Sequence, residues 1–211
     1  MKIGIPTNLR DKRFGTHGNY IEWVAQFGQP VLLTPGIDQF DQFDALFLPG
    51  GKDVSSNLTF LNTPADPHLE WFDTMYISKC IVAKKPIFAV CRGMQALNVN
   101  LGGTLKNLYG DDLIHSNKSA TELEKNTSHE YLYFKHDNLK FEIVSSHYVN
   151  SIHHQVIDKL APKLIIAAKS SETDNIEAVI HENGLIAGVQ WHPEKINDDF
   201  SKQLFNYILK Q

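Results

Sequence analysis

Short apolar runs and amphipathic segments alternate along the first half of the chain, a pattern typical of a parallel sheet with helices on both faces. The runs that predict strands are Ile3–Pro6, Val31–Leu33, Ala45–Leu48 and Pro86–Val90. The segments that predict helices are Asn19–Gly28, Pro67–Ala83 and Arg92–Asn100. The wholly apolar run before Cys91 is typical of a strand in the buried middle of such a sheet.

The second half of the chain is richer in strands. The segment Asn107–Glu130 is polar and is predicted to be mostly loop. The later predicted elements are a hairpin of Tyr131–Lys135 and Phe141–Val144, strands at Leu164–Ala168, Ile176–Ile180 and Leu185–Gln190, and a helix at Asp198–Leu209. We therefore expect one α/β domain over residues 1–211, with a mostly parallel central sheet flanked by helices and an antiparallel extension.

Composition and charge narrow the class of function. Hydrophobic residues make up 42% and charged residues 21% of the 211 residues, which is typical of a globular protein. The net charge of −4 and the pI near 6.2 provide no basic surface for nucleic acid. No apolar run approaches the roughly 20 residues of a membrane-spanning helix, and the N-terminus does not resemble a signal peptide. We expect a cytoplasmic protein with Cys80 and Cys91 as free thiols.

The segment IFAVCRGMQ places Cys91 at the junction of a predicted strand and a predicted helix. A nucleophile on such a turn is lifted clear of the sheet. Gly93, which has no side chain, fits the close packing that the turn needs. The helix N-terminus would also stabilise a thiolate. The alternative is an ordinary buried cysteine, and spacing alone leaves the two interpretations open. For Cys80, in the middle of an apolar helix stripe, we expect a buried structural role.

The segment GVQWHPE places His192 and Glu194 two residues apart after an apolar run. We interpret them as the end of an apolar strand, where residues two apart point to the same side, so that the carboxylate could orient the imidazole. Cysteine nucleophiles need such a base and a group that holds the base. The alternative is a surface histidine beside a solvated glutamate.

Two further motifs are weaker signals. The LPGG run, residues 48–51, allows backbone N–H groups to face a ligand or an oxyanion, although many such runs are simple turns. The VNSIHHQ run, residues 149–155, is interpreted as a polar turn that opens a helix, with one histidine facing the site. No third ligand stands at a recognisable spacing from its histidines, so we expect no metal site there.

The order of these motifs resembles that of the class I glutamine amidotransferase superfamily. Within it, the chain is similar to the γ-glutamyl hydrolases that include γ-glutamyl-γ-aminobutyrate hydrolase, through PGGKDV, CRGMQALNVNLGGTL, VNSIHHQ, DNIEAVI and GVQWHPE. The resemblance extends from about Ile3 to Glu194 and implies a flavodoxin-like fold. The chain departs from the family pattern at Ala89, often glycine in relatives, and in ADPHLEWFD, which lacks a common arginine.

The resemblance also implies roles for individual residues. Cys91 would be the nucleophile, His192 the general base and then acid, and Glu194 the residue that orients it. The N–H groups of Gly51 and Arg92 would form the oxyanion hole. The residues implied in substrate binding are Gly50, Gln95, Asn150, Ser151, His153 and His154. The resemblance implies neither a cofactor nor a metal.

The first functional hypothesis is a stand-alone hydrolase that cleaves γ-glutamyl amides of small amines through a glutamyl thioester and releases glutamate. A specialised form would act on a nucleotide-linked or polyamine-linked intermediate. The second is a glutaminase subunit that supplies ammonia to a partner synthase. The third is a binding protein that keeps the fold without the chemistry. The expected partner is a small γ-glutamyl substrate, with no nucleic acid and no membrane, and a homodimer is left open.

Overall fold

The computed structural model describes residues 1–10, 12–54, 65–108, 129–133 and 147–211. The strands in chain order are β1 (Lys2–Pro6), β2 (Asn8–Arg10), β3 (Arg13–Gly15), β4 (Gln29–Leu33), β5 (Ala45–Leu48), β6 (Ile87–Val90), β7 (Thr104–Asn107), β8 (His129–Tyr133), β9 (His147–Val149), β10 (Gln155–Lys159), β11 (Leu164–Ser170), β12 (Ile176–His181) and β13 (Ile186–Val189). The helices are α1 (Gly18–Val24), α2 (Pro67–Ala83), α3 (Arg92–Asn100), α4 (Pro193–Ile196) and α5 (Asp199–Leu209), with a 3-10 turn at Phe40–Gln42.

A nine-stranded sheet forms the centre of the described structure, in the order β4-β1-β5-β6-β13-β12-β11-β8-β9. The pairs from β4 to β13 are parallel, and the pairs from β13 to β9 are antiparallel. This confirms the prediction of a mostly parallel sheet with an antiparallel extension. Two small antiparallel sheets, β2 with β3 and β7 with β10, lie outside it.

Both faces of the sheet are covered by helices. Along β6, Phe88 and Val90 belong to one apolar core and Ile87 and Ala89 to the other, because successive side chains on a strand point to opposite faces. The first core includes residues of α1 and α5, where the rings of Trp23 and Phe205 stack with centroids 5.6 Å apart. The second core includes residues of α2 and α3. The wholly apolar strand is therefore buried on both sides, as its sequence predicted.

Helix α2 confirms the predicted bounds and the predicted structural role of Cys80. Asp66 begins the helix, since its carboxylate accepts hydrogen bonds from the backbone N–H groups of His68 and Leu69. Cys80 is fully buried in the second core, and this burial raises the pKa of its thiol to about 12. No helix in the described part of the chain combines the length and the apolar character needed to cross a membrane.

Several predicted elements differ from the structure. The first helix ends at Val24 rather than Gly28, and the last strand of the sheet covers only Ile186–Val189. The predicted hairpin strand Phe141–Val144 lies outside the described residues, whereas β8 pairs with β9 and β11. The sequence reading also missed the polar strands β2, β3, β7, β9 and β10. Their pairing depends on contacts between distant segments, which local periodicity does not report.

Candidate active site

The carboxyl ends of the parallel strands meet at one edge of the sheet. Gly50 follows β5, Cys91 follows β6 and His192 follows β13. Because β5, β6 and β13 are neighbours in the sheet, these three residues converge although they are far apart in sequence. The predicted nucleophile, base and glycine turn therefore share one site.

Cys91 stands on a sharp turn between β6 and α3. Its φ of 50° lies in the left-handed region, which non-glycine residues seldom adopt. Its N–H donates a hydrogen bond to Val189 O at 2.8 Å, which fixes the turn to the adjacent strand. A Cβ on Gly93 would lie 2.4 Å from Leu48 O, so only glycine fits the following position. Cys91 is only 6% exposed, but its left-handed turn and its place in the lining of a small cavity agree with a nucleophile turn better than with an ordinary buried cysteine.

His192 and Glu194 are in contact, but not for the reason that the sequence suggested. Strand β13 ends at Val189, His192 precedes α4, and Glu194 lies in the first turn of that helix. The prediction that both side chains point to the same side of a strand is therefore wrong. The first turn of α4 brings the Glu194 carboxylate to the His192 ring. The distance between His192 Nδ1 and Glu194 Oε1 is 2.8 Å.

The charge state of His192 depends on its neighbours. Burial lowers the pKa of its imidazole, but the charge of Cys91, a hydrogen bond with Cys91 and the Glu194 carboxylate together raise it to about 10. These neighbours therefore favour the protonated form of the ring. A protonated imidazole beside the sulfur can stabilise a thiolate and can later donate its proton.

Asn150 holds the backbone of His192 through two hydrogen bonds. It is fully buried, its Nδ2 donates to His192 O at 2.9 Å, and its Oδ1 accepts from His192 N at 2.7 Å. Both ends of this amide are thus used by one residue. The structure places Asn150 as a residue that positions the histidine, and not among those lining the cavities described below.

Tyr20 is a site residue that the sequence reading missed. Its hydroxyl accepts a hydrogen bond from Gly50 N–H at 3.1 Å and lies 3.5 Å from His192 Nδ1. Burial raises the pKa of Tyr20 well above its usual value, and the negative charges of Glu194 and a Cys91 thiolate add to this. The helical spacing of Tyr20 indicated only a core residue, so periodicity alone carried no signal for this role.

Gly50 and Gly51 form the turn next to the thiol. A Cβ on Gly50 would lie 2.6 Å from Tyr20 Oη and 3.1 Å from His192 Cε1, so a side chain there collides with the site itself. The N–H of Gly50 is bonded to Tyr20, whereas the predicted oxyanion donor is the N–H of Gly51. The second predicted donor, Arg92, begins α3, where N–H groups have no intrahelical partner.

The Arg92 side chain is buried beside this turn. Its guanidinium forms an ion pair with Asp73 of α2, and both side chains are 3% exposed. Its Nε donates to Lys52 O at 3.2 Å. Arg92 therefore connects helix α2 to the backbone next to Gly51.

Two cavities border Gly51, and Gly51 is the lining residue that they share. The larger has a volume of about 330 Å³ and is lined by His17, Asn19, Tyr20, Gly50, Gly51, His192, Glu194 and Lys195. The smaller, of about 40 Å³, is lined by Gly51, Asp53, Cys91, Arg92, Gln95, Ile152, His153, His154 and Gln155. Within the described ranges, no three His, Cys, Asp or Glu side chains are grouped so that they could hold a metal ion.

The VNSIHHQ segment joins β9 to β10, so the predicted helix opening is wrong. Its polar residues lie largely inside the protein. Ser151 Oγ lies 3.0 Å from His153 Nε2, and His153 Nδ1 lies 3.1 Å from Gln155 O. Gln95 Nε2 donates to Gln155 O at 2.8 Å. Of the predicted binding residues in this motif, His154 has the most accessible side chain, at 46% exposure.

Comparisons with known proteins agree with this geometry. The chain is 35% identical over 187 residues to protein NtpR of Enterococcus hirae, covering 81% of this chain and 76% of that protein. It is 29% identical over 174 residues to the γ-glutamyl-γ-aminobutyrate hydrolase of Escherichia coli K12, covering 76% and 67%. A glutamine amidotransferase structure from Thermotoga maritima matches with a TM-score of 0.61 at 14% identity, covering 92% and 76%. This last match concerns the fold alone.

A comparison of the sequence with protein families gives one match that covers almost all of the strands and the site described above. The matching family is Peptidase C26, and the match covers residues 3–194, from β1 to Glu194. It includes the turn at Cys91 and the contact of His192 with Glu194. The chain therefore belongs to the Peptidase C26 family, a cysteine-type family of class I glutamine amidotransferase-like hydrolases.

Proposed function

We propose that this protein is a cysteine-dependent γ-glutamyl hydrolase that releases glutamate and a small amine. The observation that carries the proposal is a pair of cavities that share Gly51, one lined by Cys91 and the other by His192. The smaller cavity is lined by Cys91 and would receive the glutamyl part. The larger cavity is lined by His192, the acid that would protonate the departing amine, and its volume of about 330 Å³ exceeds what ammonia needs.

The first half of the reaction would form a thioester. The Cys91 thiolate attacks the γ-carbonyl carbon, and the carbonyl oxygen becomes an oxyanion held by the N–H groups of Gly51 and Arg92. The C–N bond then breaks, and the nitrogen takes the proton of His192 as the amine leaves. Glu194 keeps the ring oriented during this transfer.

The second half would return the enzyme to its starting state. His192, now neutral, accepts a proton from a water molecule that attacks the thioester carbonyl. The tetrahedral intermediate collapses, the C–S bond breaks, and the Cys91 thiolate and glutamate are released. The sum of both halves is one amide and one water converted to glutamate and an amine, with the protein unchanged.

Glutamate release from a panel of γ-glutamyl compounds tests the proposal. The panel comprises glutamine, γ-glutamyl-γ-aminobutyrate, a γ-glutamyl polyamine, a γ-glutamyl peptide and a γ-glutamyl nucleotide amidate. We expect one conjugate to be hydrolysed at a rate well above that of glutamine. The Cys91→Ala variant should release no glutamate from any compound. The Cys80→Ala variant is the matched control, because it removes the buried thiol outside the site. It should retain turnover.

Other outcomes of the same assay argue against the proposal. Slow turnover of glutamine alone would favour a glutaminase subunit that needs a synthase partner. No turnover of any compound, together with a Cys91 thiol that an alkylating reagent does not modify at neutral pH, would favour a binding protein. Circular dichroism of Cys91→Ala shows whether a loss of activity reflects a loss of the fold.

A further inference from the structure

The smaller cavity contains a carboxylate and an imidazole side chain that the mechanism above does not use. Asp53 follows the glycine turn after β5, and His154 precedes β10. Their side chains meet across the cavity, with Asp53 Oδ2 3.0 Å from His154 Nε2. Both line the same cavity as the Cys91 thiol. Two segments that are distant in sequence are thus joined by this contact next to the nucleophile.

Other polar side chains at this cavity already form hydrogen bonds or ion pairs with residues other than Asp53 and His154. Gln95 donates to the Gln155 backbone, and both ring nitrogens of His153 lie at hydrogen-bond distance from neighbouring oxygens. The Arg92 guanidinium is bound to Asp73 and to Lys52 O. Asp53 and His154 differ because their contact is with each other, and the His154 side chain is 46% exposed. This contact can therefore be exchanged for contacts with a ligand.

The smaller cavity is too small for a glutamyl group, so the contact between Asp53 and His154 has to break when the substrate binds. A volume of about 40 Å³ holds about three water molecules. A glutamyl group joined to Cys91 would extend roughly 4 Å from its carbonyl carbon to its α-carbon, across two methylene groups. Its α-ammonium and α-carboxylate would then arrive at the position where Asp53 and His154 now meet.

We propose that Asp53 and His154 recognise the amino-acid end of the substrate, with Asp53 binding the α-ammonium group and His154 binding the α-carboxylate. This inference rests on the proposed γ-glutamyl hydrolase function. In the free enzyme, each side chain occupies the place of the group that its partner will bind. Substrate binding breaks the one contact between these side chains and forms two contacts with the substrate, so each side chain keeps a partner.

The proposal assigns a specificity to each end of the glutamyl group. An amide of glutarate lacks the ammonium group and leaves Asp53 without a cationic partner. An amide of 4-aminobutyrate lacks the carboxylate and leaves His154 without an anionic one. Since a hydrogen bond to a charged group has a substantial effect on binding, we expect each truncated amide to lose about 10- to 100-fold in kcat/KM.

The experiment crosses three substrates with four proteins. The substrates are the p-nitroanilides of L-glutamate at its γ-carboxyl, of glutarate and of 4-aminobutyrate, which share one leaving group. The proteins are the wild type, Asp53→Asn, His154→Gln and the control Asp174→Asn. The control removes a carboxylate from the exposed ion pair of Asp174 with Lys169, outside the site.

The proposal predicts a crossed pattern. Asp53→Asn should lower kcat/KM about 10- to 100-fold for the two substrates with an ammonium group and change it less than about threefold for the glutaryl amide. His154→Gln should lower it for the two substrates with a carboxylate and spare the 4-aminobutyryl amide. The control should match the wild type on all three. Equal losses on all three substrates would overturn the proposal and indicate that the pair only holds the loops together.

Wild-type measurements keep the test decisive if a variant fails to fold. The D-glutamyl anilide exchanges the positions of the ammonium and carboxylate groups, so we expect the wild type to hydrolyse it at least about 10-fold more slowly. Equal turnover of both enantiomers and of the truncated amides would overturn the recognition proposal while leaving the hydrolase function in place. No turnover of any γ-glutamyl compound by the wild type would overturn the function itself, and this inference with it.

Discussion

Replacing Asp73 with leucine tests how the buried Arg92 guanidinium supports the glycine turn. The change removes the carboxylate that pairs with Arg92, and both side chains are 3% exposed. The guanidinium would remain inside the protein without its counter-ion. Burial also raises the pKa of Asp73 and outweighs the opposing effect of Arg92. Moving two charges out of water has a desolvation cost of its own.

The expected magnitude follows from the loss of one partner of a buried ion pair. Such a loss typically destabilises a protein by about 3–5 kcal/mol, because the remaining charge is not solvated. For a chain of this length, each kcal/mol lowers Tm by roughly 2–4 °C, so Asp73→Leu should lower Tm by roughly 6–20 °C. The double variant Asp73→Leu/Arg92→Met removes both charges and should recover most of that loss.

In the double variant, thermal stability should recover while kcat stays low. Arg92 Nε also donates to Lys52 O, and methionine cannot replace this hydrogen bond. The backbone beside Gly51 would lose its support, so we expect kcat to stay at least about 10-fold below the wild type.

The assays are thermal unfolding followed by circular dichroism, and steady-state kinetics on the best γ-glutamyl substrate. A double variant as unstable as Asp73→Leu would refute the ion-pair explanation. Full recovery of kcat would refute the link from Arg92 to the turn.

Three further predictions concern groups around the thiol. Glu194→Gln removes the carboxylate that stabilises the His192 imidazolium, so the pKa of that ring should fall from about 10, by at least about one unit, in an NMR titration of the labelled imidazole. An unchanged value would mean that Cys91 alone raises it. Gly50→Ala places a Cβ 2.6 Å from Tyr20 Oη and should lower kcat at least about 10-fold, and Tyr20→Phe added to it should restore part of the loss. Lys195 lines the larger cavity at an exposed position, so Lys195→Met should lower kcat/KM about 3- to 10-fold for conjugates whose amine carries a carboxylate and leave uncharged amines unaffected. Equal effects on both conjugate classes would contradict a role for its charge.

The parallel half of the sheet could be predicted from sequence because its strands are apolar on both faces. The run Ile87–Val90 has no polar position, and Cys91 and Gly93 follow it at once. A buried strand that ends in a tight turn leaves few alternatives for what comes next, and the observed φ of Cys91 agrees with the predicted turn. Local pattern and tertiary structure point to the same answer here.

The polar parts of the site could not be predicted in the same way. The resemblance implies substrate binding by Asn150, Ser151 and His153, and that stays a prediction, while the structure shows that each is buried and has hydrogen-bond partners within the protein. A polar side chain in a sequence does not reveal whether its partner is a ligand or a distant backbone group. The contact of Asp53 with His154 spans 101 positions, and no spacing rule connects them.

The burial of Cys80 leaves the chain with one thiol, that of Cys91, that a reagent can reach through a cavity. Cys80 is fully enclosed and its pKa is raised to about 12, whereas Cys91 lines a cavity. A small alkylating reagent at neutral pH should therefore add one adduct per chain, seen as a single mass shift. The fraction of chains that carry the adduct counts the competent sites in a preparation, without mutagenesis and without knowledge of the substrate. The same selectivity would place a covalent reporter at the site in the unmodified sequence.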